Sequence, residues 1–111
     1  MKLSEQTGLS NITIQSLRHV FMRYPSIHKV IIYGSRAKGN FKPSSDIDLT
    51  LFTGETDLSF LFKVENEIDE LLLPYKVDLS LYSSLDNENL KEHIKRVGIE
   101  FYSVDARDLK S

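Results

Sequence analysis

Residues 30–52 read VIIYGSRAKGNFKPSSDIDLTLF, with an apolar run at each end and glycines, charges and a proline between the runs. The first run predicts a β-strand over about residues 29–33, and its lack of polar alternation indicates burial on both faces. The second run predicts a strand over about residues 46–52, in which apolar side chains alternate with acidic or hydroxyl side chains. Between the two we expect a tight turn, a short helix and a loop.

Gly34 and Ser35 lie where the first strand gives way to the predicted short helix. Free backbone N–H groups at such a point, together with the Ser35 hydroxyl, favour a phosphate-binding turn. A plain tight turn is the competing interpretation. A Walker A loop is excluded, because it requires Lys-Ser or Lys-Thr after its second glycine and this sequence has Asn40-Phe41 there.

Asp46 and Asp48 are two residues apart on the second predicted strand, so we expect both carboxylates on one face of the sheet. Two like charges so close together repel each other unless a cation lies between them. Hard oxygen ligands in a chain without cysteine favour Mg²⁺, with Mn²⁺ as a substitute. The alternative is that both are ordinary residues at a strand edge or a turn cap.

A third strand is predicted over about residues 76–82, with the same alternation of apolar and polar side chains. If this strand lies beside the second one and both turn their apolar faces to the same helices, Asp78 shares the open face with Asp46 and Asp48. The three carboxylates then form one candidate metal site. Taken alone, Asp78 would be an exposed strand residue.

Apolar residues at helical spacing predict three helices that cover the apolar face of the sheet. Their N-caps are expected from side-chain oxygens just before each helix. A short edge strand follows at about residues 99–102. The fold class is therefore α/β (α+β), a short mixed sheet with helices packed on one face. The three predicted helices span residues 10–24, 58–72 and 86–97. Their predicted N-caps are Ser10, Asp57, and Asp86 or Ser84, in that order.

Length and composition predict one domain over residues 1–111, with a core of about residues 9–102 and flexible ends. A net charge of −2 gives no electrostatic case for nucleic-acid binding. The sequence has no signal-like or membrane-spanning apolar run, so we expect a cytoplasmic protein. The histidines lack ligand spacing and are interpreted as structural or surface residues. They are His19, His28 and His93.

The joint pattern of Gly34-Ser35, ten residues, then Asp46-Ile47-Asp48 resembles the signature of the DNA polymerase β-like nucleotidyltransferase superfamily. Its flanks, RAKG and SDIDL, are similar to the small stand-alone members, the minimal nucleotidyltransferases (MNT) of the MntA-like antitoxin type. Lys38 departs from the arginine of many relatives and loses the bidentate fork of a guanidinium. The resemblance covers roughly residues 9–102.

The resemblance implies a polymerase β palm-like fold and the Mg²⁺-dependent transfer of AMP from ATP. It implies that Asp46, Asp48 and Asp78 are the catalytic metal ligands, because Val77-Asp78-Leu79 matches the position of the third acidic residue. It also implies that Gly34 and Ser35 contact the triphosphate. From the residues themselves, Arg36 is the candidate to neutralise the triphosphate, and Ser45 the candidate to orient Asp46 by a hydrogen bond.

The acceptor is expected to be supplied by another protein, because the helices are needed for the core and leave no segment for an acceptor domain. Members of this kind commonly adenylylate a tyrosine of a small helical HEPN ribonuclease toxin, and this is the function that the resemblance implies. Two alternatives stay open. One is the adenylylation of a small molecule such as an aminoglycoside, and the other is a non-catalytic partner that masks a toxin.

Overall fold

A computed structural model of the protein describes residues 2–104. Its longest helices have 12 residues, and no helix within that range is long and apolar enough to cross a membrane. The elements in chain order are α1 (Leu3–Thr7), α2 (Asn11–Met22), β1 (Ile27–Tyr33), α3 (Ser35–Lys38), β2 (Ile47–Thr53), α4 (Leu58–Asp69), β3 (Val77–Leu81), a 3-10 turn (Tyr82–Ser84), α5 (Glu88–Val97) and β4 (Ile99–Ser103).

The four strands form one mixed sheet in the order β3-β2-β1-β4. β1 is antiparallel to both of its neighbours, whereas β2 and β3 are parallel. A parallel pair needs a crossover connection, and α4 supplies it here. The predicted α/β class with a short mixed sheet is confirmed, and the predicted edge strand is β4 beside β1.

The main hydrophobic core lies between one face of this sheet and the helices α2 and α4. Val30 and Ile32 of β1 and Leu49 and Leu51 of β2 are all fully buried in it. Because side chains alternate along a strand, the residues between them point to the opposite face. The core therefore decides which side chains of β2 and β3 remain available for a site.

Two of the three predicted helix N-caps are confirmed. The side chains of Ser10 and Asp57 each accept a hydrogen bond at 3.1 Å from the N–H three residues on, and they cap α2 and α4 as predicted. The expectation of Asp86 or Ser84 for α5 is wrong. Asn87 caps this helix at 3.1 Å, because α5 begins later than its apolar spacing indicated.

The N-terminal segment is a correction to the expected flexible ends. Leu3–Thr7 form a helical turn, and the Thr7 hydroxyl donates a hydrogen bond to the Leu3 carbonyl at 2.7 Å. The side chain of Thr7 is fully buried, and Leu3 packs against the core. This short helix is stabilised by tertiary contacts, because five residues are too few to form a stable helix alone. Residues 105–111, at the other expected flexible end, lie outside the described residues.

Helix α5 is the second correction, because it does not join α2 and α4 on the core face. Its Ile94 is buried but lies outside the main core cluster. Its His93 ring stands edge-on to Tyr33 with centroids 6.1 Å apart, and a Cβ added at Gly98 would touch Ile31. Ile31 and Tyr33 alternate with the core residues of β1, so α5 covers part of the opposite face. Helices therefore pack on both faces of the sheet.

Candidate active site

The turn after β1 places glycine where no other residue fits. Gly34 has φ 75° and ψ −157°, a combination that is essentially restricted to glycine. A Cβ at this position would overlap the Oδ2 atom of Asp48. Because the side chain is missing, the backbone of the turn lies directly against a carboxylate of the neighbouring strand.

Backbone hydrogen bonds fix the turn. The N–H groups of Ala37 and Lys38 donate to the Gly34 carbonyl at 3.1 and 3.0 Å, and the Gly39 N–H donates to the Ser35 carbonyl at 3.0 Å. The short helix α3 is therefore a single closed turn. Ser35 is partly exposed at its start, where the sequence analysis predicted a phosphate contact.

The three predicted carboxylates lie at one end of the β2–β3 pair. Asp48 and Asp78 are directly paired in the parallel register, opposite the core face of the sheet. Asp46 was predicted to lie on the second strand. Because β2 begins at Ile47, Asp46 is instead the last residue of the loop before it. Asp46 and Asp78 are exposed and Asp48 is half-buried. The expectation that Asp48 and Asp78 share a face is confirmed by the register.

The electrostatics of this end centre on Asp48. Burial raises the pKa of its carboxyl, the charges of Asp78 and Asp46 raise it further, and Lys76 opposes the shift. The ionised carboxylate of Asp48 is thus both poorly solvated and repelled by its two neighbours. A positive charge placed among the three groups would relieve both effects.

Polar side chains continue from the carboxylates across the same face of the sheet. Tyr33 pairs with Asp48 across β1 and β2, and the Ser80 hydroxyl donates to the hydroxyl oxygen of the buried Thr50 at 3.0 Å. Burial raises the pKa of Tyr33, and Asp48 and Asp78 add to this, while a hydrogen bond with Ser80 opposes it. Tyr33 therefore stays a neutral hydrogen-bonding group beside the carboxylates.

The residues present suit a divalent cation. Three carboxylates supply the hard oxygen ligands that Mg²⁺ prefers, and the repulsion at Asp48 is the observation that favours a cation there. Within residues 2–104, no three acidic or histidine side chains are already grouped tightly enough to hold a metal ion. The assignment of Asp46, Asp48 and Asp78 as metal ligands therefore stays a prediction, and it requires their side chains to draw together around the ion.

The side chain of Arg36 is buried and does not project towards a ligand, in contrast to the expected contact with a triphosphate. Its side chain is 1% exposed, and its guanidinium donates only to backbone carbonyls. The distances are 2.8 Å to the Thr7 oxygen, 3.1 Å to Ser45, 3.2 Å to Pro43 and 3.5 Å to Lys42. These contacts join the end of α1 to the loop that leads to the carboxylates.

Two aromatic rings complete this environment. The guanidinium carbon of Arg36 lies 5.3 Å from the ring centroid of Phe41 and 4.9 Å from that of Tyr75, within the range of cation–π contacts. The expectation that Arg36 neutralises the triphosphate is therefore corrected. A guanidinium with all its directions filled by carbonyls and rings is not available to a phosphate, and its role is to hold the loop.

Ser45 also acts on this loop. Its hydroxyl oxygen accepts a hydrogen bond from the Lys42 N–H at 2.8 Å, and its carbonyl accepts from Arg36. These bonds shape the last turn before Asp46. Ser45 thus helps to position the backbone just before Asp46. The expected hydrogen bond from Ser45 that orients the Asp46 carboxylate stays a prediction.

His93 contacts the Gly34 turn, although its sequence context indicated only a structural or surface residue. The Gly34 N–H donates a hydrogen bond to the Nε2 atom of His93 at 3.2 Å, across 59 residues of sequence. No local pattern could have revealed this contact, because it depends on α5 packing against the site face of β1. The other two histidines, His19 and His28, are exposed, as expected of surface residues.

A Gly-Ser turn beside acidic residues on neighbouring strands of a small mixed sheet defines the class of nucleotidyltransferase domains. The family profile described as "Polymerase beta, Nucleotidyltransferase" matches residues 15–107, and the chain belongs to this family. It is therefore an enzyme of nucleotidyl transfer, which confirms the family that the sequence pattern resembled. No curated protein sequence matches the chain.

Solved structures show the same fold. A chain of a toxin–antitoxin crystal structure with AMP-PNP is 20% identical, with 86% of this chain and 74% of that chain covered and a TM-score of 0.66. A structure of tri-AMPylated Shewanella oneidensis HEPN toxin in complex with MNT antitoxin matches at 15% identity, 90% and 77% coverage and TM-score 0.65. A putative nucleotidyltransferase from Sulfolobus solfataricus matches at 19% identity, 93% and 89% coverage and TM-score 0.54.

Proposed function

We propose that this protein is a Mg²⁺-dependent adenylyltransferase that transfers AMP from ATP to a hydroxyl of a small helical HEPN-type toxin, and that it serves as the antitoxin of this partner. The observation that carries the proposal is the direct pairing of Asp48 with Asp78, with Asp48 packed against the Gly34 turn. This arrangement supports the proposal, because it brings the Gly34 turn close to carboxylate oxygens of the kind that Mg²⁺ prefers. The similarity to chains from toxin–antitoxin complexes, one with AMP-PNP and one with an AMPylated toxin, supports the choice of nucleotide and partner.

The turn at Gly34 and Ser35 binds the phosphates that leave. Its backbone lies close against the Asp48 carboxylate because Gly34 has no side chain, and the partly exposed Ser35 offers a hydroxyl donor to the phosphates. With Arg36 enclosed by carbonyls, the positive charge for the phosphates comes from bound cations and from the exposed lysines of the loop. These lysines are Lys38 and Lys42.

Asp46, Asp48 and Asp78 hold Mg²⁺ in this proposal. The bound ions supply positive charge that stabilises the attacking and leaving oxygens of an in-line displacement. In this proposal Asp78, the more exposed of the two paired carboxylates, accepts the proton of the acceptor hydroxyl.

The reaction forms one bond and breaks one. The acceptor oxygen bonds to the α-phosphorus of ATP, the bond from that phosphorus to the bridging oxygen breaks, and pyrophosphate leaves with the electron pair. The proton of the acceptor hydroxyl passes to a carboxylate and then to solvent. The products are adenylylated acceptor and pyrophosphate.

An external acceptor is favoured by the exposure of the site. Asp46 and Asp78 are exposed, and α5 packs against β1 on the site face. A hydroxyl must reach a near-attack distance of about 3–3.5 Å from the α-phosphorus, so something has to close over the carboxylates. A partner protein that presents a tyrosine can do this.

The test is an adenylylation assay with the full chain, ATP, Mg²⁺ and the product of the adjacent gene, which this proposal expects to be a HEPN-type protein. Intact-mass spectrometry should show the addition of one AMP or more to the partner, and peptide mapping should place it on a tyrosine. Asp48→Asn should abolish the addition while leaving the complex intact on a sizing column. Asp86→Asn is the matched control, because this exposed aspartate lies in the loop ahead of α5.

Each other outcome points to one of the alternatives. Efficient transfer to an aminoglycoside without any protein partner would replace the antitoxin proposal with a small-molecule transferase. Tight binding of the partner without any mass increase, for wild type and variant alike, would leave only a masking role.

A further inference from the structure

The Gly34 N–H, the backbone donor of the proposed phosphate-binding turn, already has a partner in this structure. It donates to the Nε2 atom of His93 at 3.2 Å. The imidazole comes from the middle of α5, and its ring packs edge-on against Tyr33 at an interplanar angle of 82°. A side chain far away in sequence is thus held at the atom that a phosphate would need.

The direction of this hydrogen bond defines the state of the ring. Because Nε2 accepts from an N–H, it carries no proton here, and the proton of the neutral imidazole is on Nδ1. The ring is well anchored, since His93 is half-buried and the next residue, Ile94, is buried at 4% exposure. The Nε2 lone pair is therefore held against the Gly34 turn.

A phosphate oxygen and this lone pair are incompatible partners for one N–H group. Both are acceptors, and an anionic oxygen at Gly34 would lie against an unprotonated nitrogen. The conflict disappears when Nε2 carries a proton, because the imidazole then donates to the phosphate oxygen. Such a contact is a charge-assisted hydrogen bond, which is stronger than one between neutral groups.

The arginine of this turn does not supply such a donor. The nearest arginine, Arg36, is fully used by four carbonyl oxygens and two aromatic rings. The lysines of the loop are exposed and unconstrained by the fold. Among the described residues, His93 is the one side chain able to carry a positive charge that contacts the backbone of the Gly34 turn.

We propose that His93 is a phosphate-binding residue of the nucleotide site. It accepts from the Gly34 N–H in the free protein. When nucleotide binds, Nε2 gives up this bond, takes up a proton from solvent and donates to a phosphate oxygen. The inference rests on the proposed binding of ATP at Gly34 and Ser35. It assigns the positive phosphate contact, first expected from Arg36, to a residue on a different element.

The test measures the affinity of the full chain for ATP and for adenosine, both with Mg²⁺, by isothermal titration calorimetry. His93→Ala should weaken ATP binding about tenfold, the loss expected for one charge-assisted hydrogen bond. Adenosine has no phosphate, so its affinity should not change. His93→Gln should retain most of the ATP affinity, because its amide can accept from Gly34 in one state and donate to phosphate in the other. His19→Ala, on an exposed site of α2, is the matched control and should equal wild type.

A second readout separates phosphate binding from a purely structural contact. In an NMR titration with ATP, the ¹⁵N resonance of His93 Nε2 should move from the range of a bare acceptor nitrogen to that of a protonated one. A structural histidine would keep its resonance in the acceptor range.

The outcomes distinguish this inference from the proposed function. Wild type that binds ATP while His93→Ala binds it equally well or more tightly would overturn the role of His93 and leave the proposed function standing. An equal loss for ATP and adenosine would also overturn it, since the residue would then only support the fold. Wild type that does not bind ATP at all would overturn both.

Discussion

Arg36 is buried in α3 and Asp48 is half-buried in β2, the next element of the chain, and the surroundings of these two charged side chains differ in kind. The arginine cage is defined as Arg36 with the carbonyl oxygens that accept from it, and every contact there is attractive. The carboxylate cluster is defined as Asp46, Asp48 and Asp78, and there like charges and burial both raise the pKa of Asp48. The first arrangement is complete within the protein, and the second is not.

The difference shows how this small fold divides its tasks. The cage stabilises the loop from α3 to β2, so it fixes the position of Asp46 just before β2. The cluster stores repulsion that a cation and its phosphate ligands would relieve, and this is typical of functional sites. A substitution in the cage should therefore reduce stability, whereas one in the cluster should reduce ligand binding and leave stability unchanged or higher.

The largest effect on stability is expected for Arg36→Ala. The substitution leaves the buried Thr7 carbonyl and three partly buried carbonyls without this donor and opens space beside two rings, so we expect a loss of about 3 kcal/mol in the free energy of unfolding. Urea denaturation followed by circular dichroism measures it. Arg96→Ala, on the exposed side of α5, is the control and should stay within about 0.5 kcal/mol of wild type. Similar losses for both variants would contradict the cage.

The next effect concerns the place where the two regions meet. Gly34→Ala puts a Cβ against the Asp48 carboxylate on a backbone conformation reserved for glycine, and should cost about 2 kcal/mol or more in the free energy of unfolding. It should also remove the rise in melting temperature that ATP and Mg²⁺ give the wild type.

The control for this substitution is Gly39→Ala. Gly39 also has a positive φ, of 89°, but a Cβ there would meet nothing within 4 Å. Its cost should be about 1 kcal/mol from the left-handed backbone alone, with nucleotide binding retained. If both variants lose nucleotide binding equally, the close approach of Gly34 to Asp48 has no special importance.

The smallest effect has the opposite sign and concerns Asp48→Asn without metal. Because the folded protein raises the pKa of this carboxyl, the native state binds more protons than the unfolded state above the ordinary carboxyl pKa. Stability then falls as pH rises through the raised pKa. The neutral amide lacks this penalty, so the variant should be more stable at neutral pH by about 0.5 kcal/mol, the size of a cross-strand charge pair.

Urea denaturation between acid and neutral pH checks this prediction. The advantage of Asp48→Asn should vanish at acid pH, where the wild-type carboxyl is protonated as well. Added Mg²⁺ and ATP should reverse the order at neutral pH, because only the wild type has the full set of carboxylates. A variant less stable than wild type at every pH would show that Asp48 supports the fold.

The parts predicted correctly from the sequence depend on short-range patterns. Alternation along 46–52 and 76–82 placed Asp48 and Asp78 on one face, because a pleated strand has a period of two and the apolar side must be buried. The caps Ser10 and Asp57 were found because a side-chain oxygen acts on an N–H only three residues away. The Gly-Ser and Asp-x-Asp spacing led to the family for the same reason, since it lies within one supersecondary unit.

The parts that the sequence left open depend on contacts between distant segments. Burial of Arg36 requires the Thr7 carbonyl 29 residues earlier in the chain, and the partner of Gly34 lies 59 residues later. An arginine beside a Gly-Ser turn is equally suited to a phosphate and to a set of carbonyls. Which of the two it contacts depends on where the segment before α2 packs.

The sequence by itself determined the strands, most helices and the family, because hydrophobic period and motif spacing are properties of neighbouring residues. Only the tertiary structure decided that α5 covers the site face, that Arg36 holds a loop and that His93 meets the Gly34 turn. Helix α5 has one apolar stripe, which can be buried against either face of a sheet, so its pattern is the same in both cases. Its side was settled by the packing of Ile94 and Gly98 against β1, and this choice brought a histidine to the site.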